Sequence, residues 1–131
     1  LLLEMQQRYN MALLLITHDL GVVYEYTDKV IVMYGGQIVE QAPTKQLLSL
    51  TKHPYTKGLL SSLPKMDEDV ERLGTIQGTV PAAYNFPVGC RFSTRCPFVM
   101  EKCKQTNPEL LQNDTDHFVR CHLYEEGGES Q

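Results

Sequence analysis

The chain has 131 residues, 42% of them apolar, no Trp and a net charge of −4. That length suits one compact domain or two small pieces, and no run approaches the ~18 consecutive apolar residues of a membrane span. The acidic balance argues against a nucleic-acid binder that works by neutralising phosphates, and neither a signal-peptide pattern nor an internal repeat is present.

Leu1 to Asn10 reads as a helix with Leu2, Met5 and Tyr9 on one face, stopped by Asn10. Met11-Ala12-Leu13-Leu14-Leu15-Ile16 follows, an apolar run suited to a central parallel strand buried on both faces. It ends in Thr17-His18-Asp19. Such a placement puts His18 just past the carboxyl end of a strand, where open α/β sheets bind ligands. A histidine there can bond to phosphate and change protonation near neutral pH; the plainer reading is a ring that caps the strand. Asp19 to Asp28 predicts a short helix with Leu20, Val23 and Tyr24 on one face. Lys29–Tyr34 and Gln37–Gln41 then read as a strand pair turned by Gly35-Gly36, which supplies the positive φ angles of a two-residue hairpin. Pro43-Thr44 opens a helix over Lys45–Leu50 with Thr44 as N-cap.

As a block, LLLITHDLGVVYEYTDKVIVMYGGQIVEQAPTKQLL resembles the end of the nucleotide-binding domain of ABC transporter ATPases. The resemblance makes His18 the candidate catalytic and nucleotide-contacting residue, a switch histidine that touches the γ-phosphate of ATP, with Asp19 helping to fix the loop. It implies ATP with Mg²⁺ as cofactor, bound mainly by residues outside this chain. No G-x-x-x-x-G-K-[ST] phosphate loop occurs here, nor an apolar run ending in Asp-Glu to hold Mg²⁺. Gly35-Gly36-Gln37 lacks the Leu-Ser of the family's signature and sits in a hairpin. The chain therefore reads as a carboxyl-terminal fragment. Phosphoryl transfer is mostly positioning and charge stabilisation, so one histidine should not hydrolyse ATP alone.

Lys52 to Pro64 reads as a junction helix, with Pro54 in its first turn and Tyr55, Leu59, Leu60 and Leu63 on one side. Alone it predicts only a packing helix, and His53 is read as structural rather than as a ligand. The string His53-Pro54-Tyr55-Thr56-x-x-Leu59-Leu60 resembles the one that marks the extra C-terminal domain of ATPase subunits in oligopeptide and dipeptide importers. Beyond it the charge changes: residues 1–65 sum to +1 and residues 66–131 to −5. Pro64 to Asp69 reads as a solvated linker, and Glu125 to Gln131 as a disordered acidic tail.

Cys90, Cys96, Cys103 and Cys121 follow the spacing C-x5-C-x6-C-x17-C. Two disulfides, tetrahedral zinc, a [4Fe–4S] cluster and bare buried thiols all stay open on spacing. Arg91, Arg95, Lys102 and Lys104 against Glu101 give residues 90–104 a charge of +3. Such cations would favour an anionic metal site and depress the thiol pKa values. Thr75–Gly78 and Phe118–Leu123 are read as short strands and Pro97–Gln105 as a helix, a segment small enough to need a metal staple. The segment from Pro87 to Cys121 is similar to the peptide-importer C-terminal domain, some members of which bind [4Fe–4S] through these cysteines. The resemblance thus implies Cys90, Cys96, Cys103 and Cys121 as metal ligands, with a [4Fe–4S] cluster ahead of Zn. His117 and His122 are not read as ligands.

The expected class is α/β: the C-terminal end of an ABC ATPase nucleotide-binding domain (1–50), a junction helix (51–65), a small cysteine-rich α+β domain (66–124) and the tail (125–131). The implied parent is the ATP-hydrolysing subunit that drives peptide import. Its implied partners are a second ABC ATPase subunit and membrane permease subunits, with no nucleic acid and no membrane span of its own. It would sit peripherally on the cytoplasmic face of the cell membrane. The alternatives are a non-catalytic metal-binding regulatory module and the ATPase subunit of a nickel or other small-solute importer.

Overall fold

The computed structural model describes residues 1–62, 76 and 78–125. Helix α1 (Leu2–Tyr9) ends where Asn10 turns left-handed at φ 52°, ψ 48°, a conformation that Asn tolerates better than most residues. Residues 11–17 run on without entering a sheet. The parallel strand expected over Met11–Ile16 is not formed, and Leu14 and Ile16 are 83% and 89% exposed. Apolar side chains suit a buried strand, but a strand exists only through a neighbour's hydrogen bonds. Among the described residues no neighbour pairs with this run.

Helix α2 (Leu20–Tyr26) leads into β1 (Lys29–Tyr34), whose residues alternate exposed and buried, as a strand with one face on a core must. Gly35 and Gly36, at φ 57° and 80°, make the turn to β2 (Gln37–Pro43). The register slips between Val32 and Met33, so that Val32 faces Glu40 while Met33 faces Ile38. This bulge breaks the alternation of β2 and buries Val39 and Glu40 together. Helix α3 (Thr44–Ser49) follows directly, then α4 (Pro54–Ser61). Thr44 is not the N-cap expected of it. Its hydroxyl donates instead to the Thr27 carbonyl at 2.8 Å, and lies 3.1 Å from the Thr27 hydroxyl, tying the start of α3 to the end of α2.

The later residues give α5 (Glu101–Gln105), β3 (Leu111–Asp114), β4 (His117–Val119) and a 3₁₀ turn at His122–Tyr124. The helix expected over Pro97–Gln105 is thus confined to its second half. The strand expected over Phe118–Leu123 stops at Val119, because the chain turns at Cys121 into the 3₁₀ turn. Of the strand expected at Thr75–Gly78 only Ile76 and Gly78 are described. The end of the junction helix, the Pro64–Asp69 linker and residues 126–131 of the tail lie outside the described residues.

The sheet has the order β1-β2-β4-β3 and is antiparallel throughout. Glu40 and Gln41 of β2 pair with Val119 and Phe118 of β4. Val30, Val32, Tyr34, Val39, Ala42 and Leu47 share one core with Phe92, and Tyr55, Leu59, Cys90 and Cys96 pack on it. Phe92 meets Tyr34 and Tyr55 with ring centroids 5.1 and 5.4 Å apart, and those two meet at 4.7 Å. Each such aromatic pair contributes about 1 kcal/mol beyond the area it buries. Helices packed on a sheet agree with an α/β chain, but the cysteine-rich residues do not stand as a separate metal-stapled domain. They share the core of the first hairpin.

Candidate functional site

His18 sits exposed in the loop that leads into α2. Both of its neighbours are bonded. The Asp19 amide donates to Thr17 Oγ1 at 3.0 Å, and Asp19 Oδ1 accepts from the amides of Gly21 at 3.0 Å and Val22 at 3.3 Å. Asp19 is thus the N-cap of α2, satisfying two amides that have no partner inside the helix. The arrangement presents an imidazole to solvent on a bonded loop.

The four cysteines do converge. Cys90, Cys96, Cys103 and Cys121 line one pocket with His53, Phe92 and Phe98, and His18 takes no part in it. The Cys90 amide donates to the Cys103 carbonyl at 2.7 Å, joining the loop at residue 90 to α5. A Cβ on Gly89 would lie 2.1 Å from that carbonyl, so glycine is required there. The sulfurs act as weak acceptors: Cys96 Sγ takes the Phe98 amide and Cys103 Sγ the Met100 amide, each at 3.4 Å.

This convergence is not a metal centre, and the expected [4Fe–4S] cluster, with Zn as its alternative, is corrected here. Among the described residues no group of three or more His, Cys, Asp or Glu is disposed to hold a metal ion. The space enclosed is about 10 Å³, the room of roughly one water molecule. Burial pushes the Cys90 and Cys96 thiols up, and Cys121 up to about 12, in the metal-free chain. Three of the four cations expected to oppose this are engaged elsewhere. Arg91 donates to the Gly35 carbonyl and lies 4.7 Å over the Phe86 ring. Arg95 donates to the Tyr34 hydroxyl at 3.3 Å, and Lys102 bonds Glu125 at 2.5 Å. ATP with Mg²⁺ is likewise not a cofactor that this chain holds: the sequence has no phosphate loop, and the described residues offer no metal-binding group.

The most elaborate polar cluster is one the sequence did not suggest. Glu40 is fully buried and accepts three N–H bonds: from His117 Nε2 at 2.6 Å and the Lys52 amide at 2.8 Å on Oε1, and from the His53 amide at 3.0 Å on Oε2. Gln46 Nε2 lies 3.3 Å from His117 Nδ1 and donates to the Thr115 carbonyl at 3.1 Å. An amide donor on Nδ1 leaves the His117 proton on Nε2, aimed at Glu40. His53, 1% exposed, caps α4: its Nδ1 accepts the Tyr55 amide at 3.0 Å. Burial lowers its pKa to about 4, against an opposing hydrogen bond with the Arg120 backbone. His122 is held between the Glu125 carboxylate at 2.7 Å and the Thr106 carbonyl at 2.6 Å. These three rings cap and join elements. No signal in the sequence marks Glu40, since the bulge that buries it is invisible in the alternation of β2.

Residues 39–103 match the family described as the C-terminal region of oligopeptide/dipeptide transporters. The oligopeptide transport ATP-binding protein AppD of Bacillus subtilis is 50% identical over 100% of this chain, which covers 40% of that protein. The dipeptide transport ATP-binding protein DppD of Haemophilus influenzae is 46% identical over 97% of the chain, covering 39% of its own length. That of Escherichia coli is 44% identical over 93%, covering 37%. The chain thus spans about two-fifths of the length of the relatives it matches. Similarity at this level along the whole chain, with the family match at its centre, means that the chain belongs to the family of oligopeptide and dipeptide ABC transporter ATP-binding subunits, and corresponds to their C-terminal region.

Proposed function

We propose that this segment serves in an ATP-hydrolysing subunit that drives peptide import, and that His18 contacts the γ-phosphate of ATP in the assembled enzyme. The observation that carries the reading is identity of 50% over the entire chain to a protein named for oligopeptide transport and ATP binding. The exposed ring of His18 on a bonded loop supports its part, because a histidine so held can donate a hydrogen bond to a phosphate oxygen. The partners on this reading are a second ATPase subunit and the membrane permease subunits. No described helix is long and apolar enough to cross a membrane, and the proposed location is peripheral, on the cytoplasmic face. The relatives named for peptides favour peptide over nickel as cargo.

The test is a chimera in which this segment replaces the matching residues of the Bacillus subtilis relative. Restored peptide uptake and ATP turnover, both abolished by His18→Ala, are expected. A chimera that hydrolyses ATP equally well with His18→Ala would refute the role given to His18. The isolated chain should turn over no ATP.

A further inference from the structure

We propose that Cys90 and Cys103 form a reversible disulfide when the chain meets hydrogen peroxide, and so make up an oxidation site within the cysteine cluster. This does not rest on the role given to His18. The Cys90 amide donates to the Cys103 carbonyl at 2.7 Å. With standard backbone bond lengths, that contact holds the two Cα atoms within about 6.6 Å of each other. Disulfides span roughly 4.4–6.8 Å between Cα atoms, so the two backbones already stand at bridging distance. Both side chains line the same pocket, which brings the sulfurs to one side. The approach is possible because residue 89 is glycine: a Cβ there would strike the Cys103 carbonyl. Among the described residues no backbone bond ties Cys96 or Cys121 to another cysteine.

The two thiols also differ in access. Cys90 is partly exposed and Cys103 is buried, so peroxide meets Cys90 first. The O–O bond breaks; one oxygen joins the Cys90 sulfur as a sulfenic acid and the other leaves as water. The Cys103 sulfur then attacks the Cys90 sulfur. The S–S bond forms, and the sulfenic oxygen leaves as a second water, taking the Cys103 proton with it. Two thiols have then lost two electrons and two protons, and the peroxide has become two waters. A dithiol reductant reverses the link by exchange and is itself oxidised to a disulfide.

Trypsin can read the connectivity, because cleavage after Arg91, Arg95, Lys102 and Arg120 places each cysteine on its own peptide. The reduced chain is treated with hydrogen peroxide, alkylated, digested without reductant and mapped by mass spectrometry. The expected product joins the Cys90 and Cys103 peptides, lighter than its parts by two hydrogens, and disappears with dithiothreitol. Alkylation should be lost at those two cysteines and kept at Cys96 and Cys121. Cys96→Ser and Cys121→Ser should each leave the link intact, and Cys90→Ser should leave Cys103 a free thiol. Gly89→Ala should slow the linking about tenfold by spoiling the approach of the two thiols. The wild-type map judges the proposal whether or not a variant folds. Linkage through Cys96 or Cys121 instead overturns it, as do four thiols still free at a peroxide dose that consumes a small free thiol. Cys90 driven to sulfinic acid without a link overturns it too. So does iron or zinc bound in stoichiometric amount to the anaerobically isolated chain, because the thiols would then be ligands.

Discussion

Glu40 and His53 are the two residues on which the largest energies turn. Glu40 is balanced by three N–H donors, one from an imidazole and two from the backbone where α3 gives way to α4. Removing the carboxylate strands all three donors in the interior, so Glu40→Ala should cost about 3 kcal/mol or more. Glu40→Gln keeps an acceptor and should cost visibly less. Urea midpoints of the two variants compare them directly. His53 gives a different signature. Its ring holds a proton less readily folded than unfolded. Its contribution is therefore complete above about pH 6.5 and is lost as pH falls from there toward 4, by roughly 3 kcal/mol in all. Urea titrations at pH 7, 5.5 and 4.5 should show that decline, and His53→Asn, which retains a capping oxygen, should flatten it.

At the level of elements, the hairpin is where sequence and structure agree best. Lys29–Tyr34 begins and ends as its alternation predicts, and Gly35-Gly36 turns it, because the side-chain period and the positive φ are both local properties. The turn is also held from outside, by the Arg91 side chain on the Gly35 carbonyl and by Phe86. A Cβ at Gly35 would meet Phe86 at 2.8 Å with φ at 57°. Gly35→Ala should thus destabilise by about 1–2 kcal/mol, read as a fall in melting temperature that Phe86→Ala partly relieves. Met11–Ile16 failed as a strand for the opposite reason: its apolar character is local, but its partner is not. The cysteines mislead similarly. Their spacing and the charges of Arg91 and Arg95 are legible, whereas the turning of those cations toward Gly35 and Tyr34, and the burial that pushes up the Cys90, Cys96 and Cys121 thiols, exist only once the core has formed.

For the molecule as a whole, the pairing of β2 with β4 decides what can fold alone. An isolated two-stranded hairpin is marginal in water, and here the first hairpin also shares Phe92 and the Glu40–His117 bond with later residues. A chain cut after residue 62 should therefore lack cooperative unfolding, with a thermal circular-dichroism profile that slopes without a transition. A sharp transition in that shorter chain would mean that the first hairpin supports itself. The bond from Glu40 to His117 spans 77 positions, and that separation bears on synthesis. While the polypeptide leaves the ribosome, β2 has a bare inner edge and an unsatisfied carboxylate until residues 111–119 emerge. The nascent stretch is exposed to mispairing throughout that interval, so a translational pause between the two hairpins should raise the fraction lost to aggregates.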